Sequence, residues 1–302
     1  MKFCRLLQIV YICSNQKTYN MKKLLITLLM SLSLMPLTLK ADLFPMFVNS
    51  QNLKVKALIP IEMEVSYEME QLCDYPNQWN PDGWREKSTL LLEIGKEMTH
   101  SYVAEEHEDL VNQFIMHRDK NRWKIKLFNI HALLGETFMN HPHSGMLTQI
   151  INLDAAGIYQ YVEPVPDLEW KLSSKQKTVM GYKCQNATVK FRGREYEAWY
   201  TIDIPLSFGP WKFQGLPGLI LEVTDSKNEF RFTANGIKHV GGTKDIMMYD
   251  EQIRDIKRNR ALKMEYMLHK DHGAYAADYG INYHLGEGTE HEAQPYNPIE
   301  LK

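Results

Sequence analysis

Residues 209–223 read GPWKFQGLPGLILEV, three glycines and two prolines set around an apolar run. Three uses compete for such a stretch, and the choice decides the fold. A phosphate loop needs its glycines to open a helix, so that backbone N–H groups and the helix dipole meet the anion. Here the β-rich run LILEV follows instead, and neither GxGxxG nor GK[ST] spacing occurs. A nucleophile elbow needs Gly-x-Ser-x-Gly, and the stretch has no serine. Turning a strand remains. Pro210 and Pro217 hold φ near −65° and bias Gly209 and Leu216 away from helix. Pro217-Gly218 suits the two central positions of a type II turn, with Gly218 at positive φ. Gly215, Pro217 and Gly218 are therefore assigned to a structural corner, and a bulged rather than a tight two-residue connection is expected.

The flanking sequence is β-like. On one side, 181–205 (GYKCQNATVKFRGREYEAWYTIDIP) alternates about Arg192-Gly193-Arg194 and predicts a hairpin. On the other, LILEV (219–223) and NEFRFTANGI (228–237) predict a second antiparallel pair. Further out, Ile61, Met63, Val65, Tyr67 and Met69 alternate with Glu62, Glu64, Ser66, Glu68 and Glu70. That is a period of two with one wet face. TLLLEIGKEMTHSY (89–102) predicts strand, turn at Gly95-Lys96, strand; 122–130 predicts another strand, and HPHSG (141–145) a turn. Helical spacing predicts one helix near 104–117 and a longer one near 250–270. The cations Arg254, Lys257, Arg258, Arg260 and Lys263 of the longer helix lie among acids and read as a solvated face. The fold class is mainly β (α+β), a single domain over 42–302 with a large antiparallel sheet.

Residues 1–41 are of another kind. Lys22-Lys23, the uncharged apolar run Leu24 to Leu37, and Ala41 before Asp42 have the order of a signal peptide over 21–41. Residues 1–20 then read as a start assigned too early. The apolar run is short for a membrane span, which takes about 20 residues as a helix. Export to periplasm, cell surface or medium is expected, with no membrane span after cleavage. Six of the 35 cations and none of the 37 acids fall in 1–41, which leaves 29 against 37, a charge of −8 with histidine neutral. That balance offers no general attraction to nucleic acid. Cys73 and Cys184 remain after cleavage, and a bridge between them or two separate buried thiols are both compatible with an oxidising compartment.

The opening stretch resembles the signature of the GLPGLI family, exported proteins of the Bacteroidota. LLLEIGK (90–96), MGYKCQNATVKFRGREYEAWYTIDIP (180–205) and PYNPIEL (295–301) are also similar to stretches in that family. The resemblance implies export and a shared mainly β fold, and brings no reaction, cofactor or catalytic residue with it. The middle of the chain also resembles curved, half-barrel envelope proteins that carry lipoproteins, which implies a curved antiparallel sheet or half-barrel.

Chemistry-bearing residues are few. His269, His272, His284 and His291 are the candidates for a metal, but zinc wants three or four ligands with defined spacing, and no HExxH occurs. Solvated histidines are the simpler reading. Ser144 beside His143 is a loop pair. Cys184 lies within a predicted strand, where a packed or bridged cysteine outweighs a nucleophile. Trp199, Trp211 and Phe213 read as core, or as the wall of a ligand groove. No cofactor and no catalytic residue is assigned. The expectation is a non-enzymatic envelope protein that binds an apolar small molecule or an envelope protein on its sheet. An exported metal-binding protein and a hydrolase without a recognisable motif are the alternatives.

Overall fold

The computed structural model describes residues 54–75, 83–107, 110, 134–250, 253–280 and 296–301. The leader, the predicted strand at 122–130, most of the predicted 104–117 helix, His284 and His291 lie outside them. Of that helix, only residues 104–107 and 110 are described, and they are helical.

Besides that helical stretch, fourteen strands and two α-helices follow one another in the described residues. They are β1 (Val55–Pro60), β2 (Met63–Asp74), β3 (Trp84–Ile94), β4 (Thr99–Val103), β5 (Glu136–Met139), β6 (Met146–Asn152) and β7 (Ile158–Pro164). Then come β8 (Lys171–Val179), β9 (Tyr182–Phe191), β10 (Arg194–Thr201), β11 (Leu219–Asp225), β12 (Phe230–His239), β13 (Asp245–Tyr249) and β14 (Arg254–Asp255). The helices are α1 (Arg258–Lys270) and α2 (His272–Asp278). Twelve strands form one sheet in the order β14-β7-β6-β5-β4-β3-β2-β12-β11-β10-β9-β8, and β1 pairs with β13 in a second sheet of two strands. All pairings are antiparallel except β14 with β7.

The alternation in β2 does what period two requires. Met63, Val65, Tyr67 and Met69 are buried, while Glu68 and Glu70 stand on the other face and share Lys87 of β3. The Arg192-Gly193 turn closes β9 onto β10 with Phe191 opposite Arg194, and both central residues have positive φ (48° and 88°). Two positive φ values give the turn a twist that matches the right-handed twist of its strands.

The signature occupies the connection from β10 to β11, residues 202–218. This excursion is tied to itself and to β11 by backbone bonds from Gly215 N–H to Ser207 O (3.0 Å), Leu219 N–H to Ile204 O (2.9 Å) and Ile220 N–H to Phe208 O (3.0 Å). Trp211, Phe213 and Leu216 lie within the main apolar core, among residues of β2, β3 and β9 to β12.

Two expectations need correction. Gly218 is not at positive φ; Gly215 is, at 91°. Glycine is required at 218 by close approach, since a Cβ there would stand 2.0 Å from the Thr201 carbonyl oxygen. The longer helix starts at Arg258, not near 250. Arg254 and Asp255 instead pair with Tyr159 and Gln160 of β7, and Ile256 N–H continues to Gln160 O at 2.9 Å. Sheet hydrogen bonds outweigh a helical spacing that the isolated sequence displays.

Candidate functional site

Between Trp211 and Phe213 of the signature stands Lys212, wholly buried. A buried ammonium survives only if its charge and its three N–H donors are met. Here Nζ donates to Glu300 Oε1 (2.5 Å), Glu163 Oε1 (2.9 Å) and the Tyr161 hydroxyl (3.2 Å). The same two carboxylates hold further cations. Arg192 Nη2 donates to Glu163 Oε2 at 2.6 Å, and Arg258 Nε to Glu300 Oε2 at 2.9 Å. Burial pulls the Lys212 ammonium down, but Tyr161, Glu300 and Glu163 outweigh it and its pKa is raised. Burial likewise opposes the Glu300 carboxylate, yet Lys212 and Arg258 hold it below its ordinary range. A catalytic lysine needs the opposite shift, toward free amine. Lys212 is thus held as an ammonium by its buried partners.

A second ionic cluster lies one hairpin residue away. Arg194, also buried, donates through Nη1 to Asp225 Oδ2 (3.3 Å) and Glu229 Oε2 (2.5 Å). Through Nη2 it donates to Asn297 Oδ1 (2.6 Å) and the Pro298 carbonyl (2.7 Å). Asp225 caps the β11–β12 turn as well, accepting from Glu229 N–H (2.6 Å) and Phe230 N–H (2.7 Å). The two arginines that flank Gly193 thus serve two separate buried networks, and residues 297–300 enter both.

On β4, Ser101 accepts the Trp211 N–H at 3.0 Å, while its neighbour His100 stacks on Phe138, ring centroids 4.0 Å apart. Alternation along the strand sends the two to opposite faces. His100 is buried between carboxylates, Nδ1 3.0 Å from Glu93 Oε2 and Nε2 3.1 Å from Glu136 Oε2. Glu136 Oε1 is bonded to His107 Nδ1 (2.6 Å), and His107 Nε2 lies 3.4 Å from the Tyr249 hydroxyl. This is an unbroken polar series, Glu93–His100–Glu136–His107–Tyr249. Burial disfavours the Glu136 carboxylate, but His100 and His107 more than compensate and lower its pKa to about 2. Burial also works against the His100 cation, and Glu136 with Glu93 overcomes it and raises that pKa.

The pH dependence follows from those directions. A depressed carboxyl contributes stability that is full above its ordinary pKa of 4.5 and is lost as pH falls toward about 2. A raised imidazole contributes stability that is full below 6.5 and is lost as pH rises through its folded value. The series should therefore stabilise most between pH 4.5 and 6.5. Glu136→Gln is expected to remove the acid limb and shrink the alkaline one, read by urea midpoints across pH. An acid limb unchanged in the variant would show that the stabilisation lies elsewhere.

The residues singled out from sequence are placed as follows. His269 is buried on α1, its Nδ1 2.8 Å from Glu265 O and its ring 4.7 Å from Tyr296. His272 Nε2 is 2.7 Å from Asp154 Oδ2. Among the described residues no group of three or more His, Cys, Asp or Glu is arranged to hold a metal. Cys73 and Cys184 are separate free thiols, both buried. Burial pushes Cys73 up to about 12 and raises Cys184 too, so neither is a ready thiolate. Trp211 and Phe213 are packed ring against ring at 5.4 Å, while Trp199 is half-buried under the Lys177 ammonium, 4.4 Å from its ring centroid. His143 Nδ1 lies 3.1 Å from the Ser144 carbonyl oxygen on an exposed turn. Of the basic residues assigned to a solvated helix face, Arg254 lies in β14 and Arg258 is drawn in to Glu300.

The residues that matter most were not singled out: Lys212, Glu163, Glu300, Arg192, Arg194, His100 and Glu136. One signal existed, a lysine between two aromatic residues in an apolar signature, which must find buried partners.

A family model described as a protein of unknown function (Porph_ging) matches residues 192–222. That interval begins at Arg192 in the β9–β10 turn and ends within β11. No curated protein matches the chain. Two solved structures are similar to it, both of PNGF-II, in the P21 and C2 space groups. Their identities are 15% and 14%, each covering 69% of this chain, with a TM-score of 0.45 in both cases. The chain spans about a third of their length, 34% and 33%.

Proposed function

We propose that this chain is a non-enzymatic exported envelope protein of the GLPGLI kind, which binds an apolar ligand or a protein partner on a curved antiparallel sheet. The observation that carries the reading is the 2.6 Å ion pair of Glu163 with Arg192. Glu163 lies in β7, second in the sheet order, and Arg192 in the turn between the tenth and eleventh strands. At about 4.8 Å per strand, a flat sheet would hold them some 40 Å apart. Direct contact supports a sheet that bends round until its two ends meet. The signature, with Trp211, Phe213 and Leu216, fills the face so enclosed, and its one cation is neutralised within. Residues consumed by packing and ion pairing suit a binding scaffold better than a reacting centre.

The test is to purify the protein from an envelope or culture-medium fraction and analyse it by N-terminal sequencing, organic extraction with mass spectrometry, and in-cell cross-linking. An N-terminus at Asp42 with a stoichiometric apolar species or one reproducible cross-linked partner is expected. A chain that keeps residues 1–41, or one that yields neither species nor partner, would overturn the reading.

A further inference from the structure

Strand β12 carries one residue too many against β2. Ala234 pairs with Tyr67 and Gly236 with the adjacent β2 residue Ser66, so Asn235 is left over as a bulge. Asn235 is exposed. The Ser66 hydroxyl donates to its Oδ1 at 2.7 Å. The same hydroxyl lies over Gly236, since a Cβ on that glycine would stand 2.5 Å from Ser66 Oγ. Ser66 thus crowds out a side chain at 236, which favours glycine there. It also draws the Asn235 carboxamide forward over the residue that follows. Asn235-Gly236 is the single Asn-Gly pair in the sequence.

Asparagine is thermolabile, because its carboxamide carbon lies within reach of the next backbone nitrogen. A side chain on that next residue hinders the approach, and glycine has none. A hydrogen-bond donor on Oδ1 stabilises the oxyanion that forms as the nitrogen attacks. Bulge, glycine and donor meet at this one position.

We propose that Asn235-Gly236 is a self-modification site, at which the folded chain converts Asn235 to aspartate and isoaspartate while the Ser66 hydroxyl polarises the reacting carbonyl. The Gly236 nitrogen bonds to Asn235 Cγ and gives up its proton. The Cγ–Nδ2 bond breaks, and Nδ2 leaves as ammonia with that proton. Water then opens the five-membered imide at either carbonyl, so that ammonia is lost and water gained. One opening gives aspartate in an unchanged backbone, and the other gives isoaspartate with an extra methylene in the main chain. Either product adds a carboxylate beside Ser66, which stands between Glu64 and Glu68 on the wet face of β2. Isoaspartate also lengthens β12 just before Ile237, Lys238 and His239 pair with Val65, Glu64 and Met63. The β2–β12 seam is central in the twelve-strand order, so the change falls inside the sheet. The conversion requires neither export nor a ligand.

The test holds the purified full chain for weeks at neutral and at mildly alkaline pH, folded and in urea, before digestion with trypsin. Peptide 232–238 (FTANGIK) reports Asn235. Peptide 228–231 (NEFR) reports Asn228, which is exposed but followed by a glutamate. Mass spectrometry reads the change from amide to acid, enzymatic methylation of isoaspartate separates the two products, and hydroxylamine cleaves the chain at the imide. In the folded protein 232–238 should convert, faster at the higher pH, while 228–231 stays intact. Ser66→Ala should slow the conversion by about three- to tenfold, the equivalent of one neutral hydrogen bond, and Ser66→Thr should restore it. If Ser66→Ala fails to fold, the wild-type protein decides alone, conversion in the folded state supporting the proposal. Conversion in urea but not in the folded protein, or a folded rate indifferent to Ser66→Ala, would overturn it.

Discussion

Lys212→Met is expected to destabilise the protein by about 3–5 kcal/mol, read as a lower midpoint in urea with an unchanged slope. Methionine approximates the lysine stem, so the packing loss is small and the charge is the main change. What remains is Glu163 and Glu300, both nearly buried, with one of their shared cations gone. Breaking a buried pair on one side leaves an uncompensated ion, and that uncompensated charge dominates the cost. Arg192 and Arg258 still reach these carboxylates and keep the loss toward the lower end of the range. A variant as stable as the wild type would mean that Lys212 reaches water and that its burial is wrong.

Phe213→Ala is expected to cost about as much, roughly 3–5 kcal/mol, by a different mechanism. The Phe213 ring has no exposed surface. It meets Tyr196 at 4.7 Å, Trp211 at 5.4 Å, Phe232 at 6.2 Å, Phe191 at 6.3 Å and Trp170 at 6.4 Å between ring centroids. Those rings come from β9, β10, β12, the loop before β8 and the signature itself, so no single movement can close the cavity. Loss of transfer energy and an unfilled void then add. Phe213→Leu should recover much of the stability because it restores most of the volume. A loss under about 1 kcal/mol for the alanine variant would show that the ring is loosely packed and would contradict this mechanism.

What the sequence made legible was local. The alternation of Met63 to Glu70, the Arg192-Gly193 turn and the β-rich continuation of the signature each depend on near neighbours, and each is found in the structure. At Gly218 the constraint is crowding, not the positive φ that the turn rules predict. The crowding comes from Thr201, 17 positions earlier, and short-range turn rules do not see it. The start of α1 was misplaced because residues 254–255 meet β7, about 95 positions upstream, and a tertiary pairing outweighed their helical spacing. The ionic networks were illegible for the same reason. Lys212 finds Glu163 at a separation of 49 and Glu300 at 88, and Arg194 finds Asn297 at 103. Their residue types look like ordinary surface charge until the fold brings them inside. His100, Glu93 and Glu136 were hidden by alternation on strands that otherwise read as apolar.

The central claim is that the signature is a brace whose buried lysine joins β7 and the 296–301 segment. A double-mutant cycle between Lys212→Met and Glu300→Gln, read by equilibrium urea unfolding, tests it most directly. If the two groups meet in the buried pair, the double variant should be less destabilised than the sum of the single ones, by about 1–3 kcal/mol. Additivity to within about 0.5 kcal/mol would place the two residues in separate environments and contradict the account.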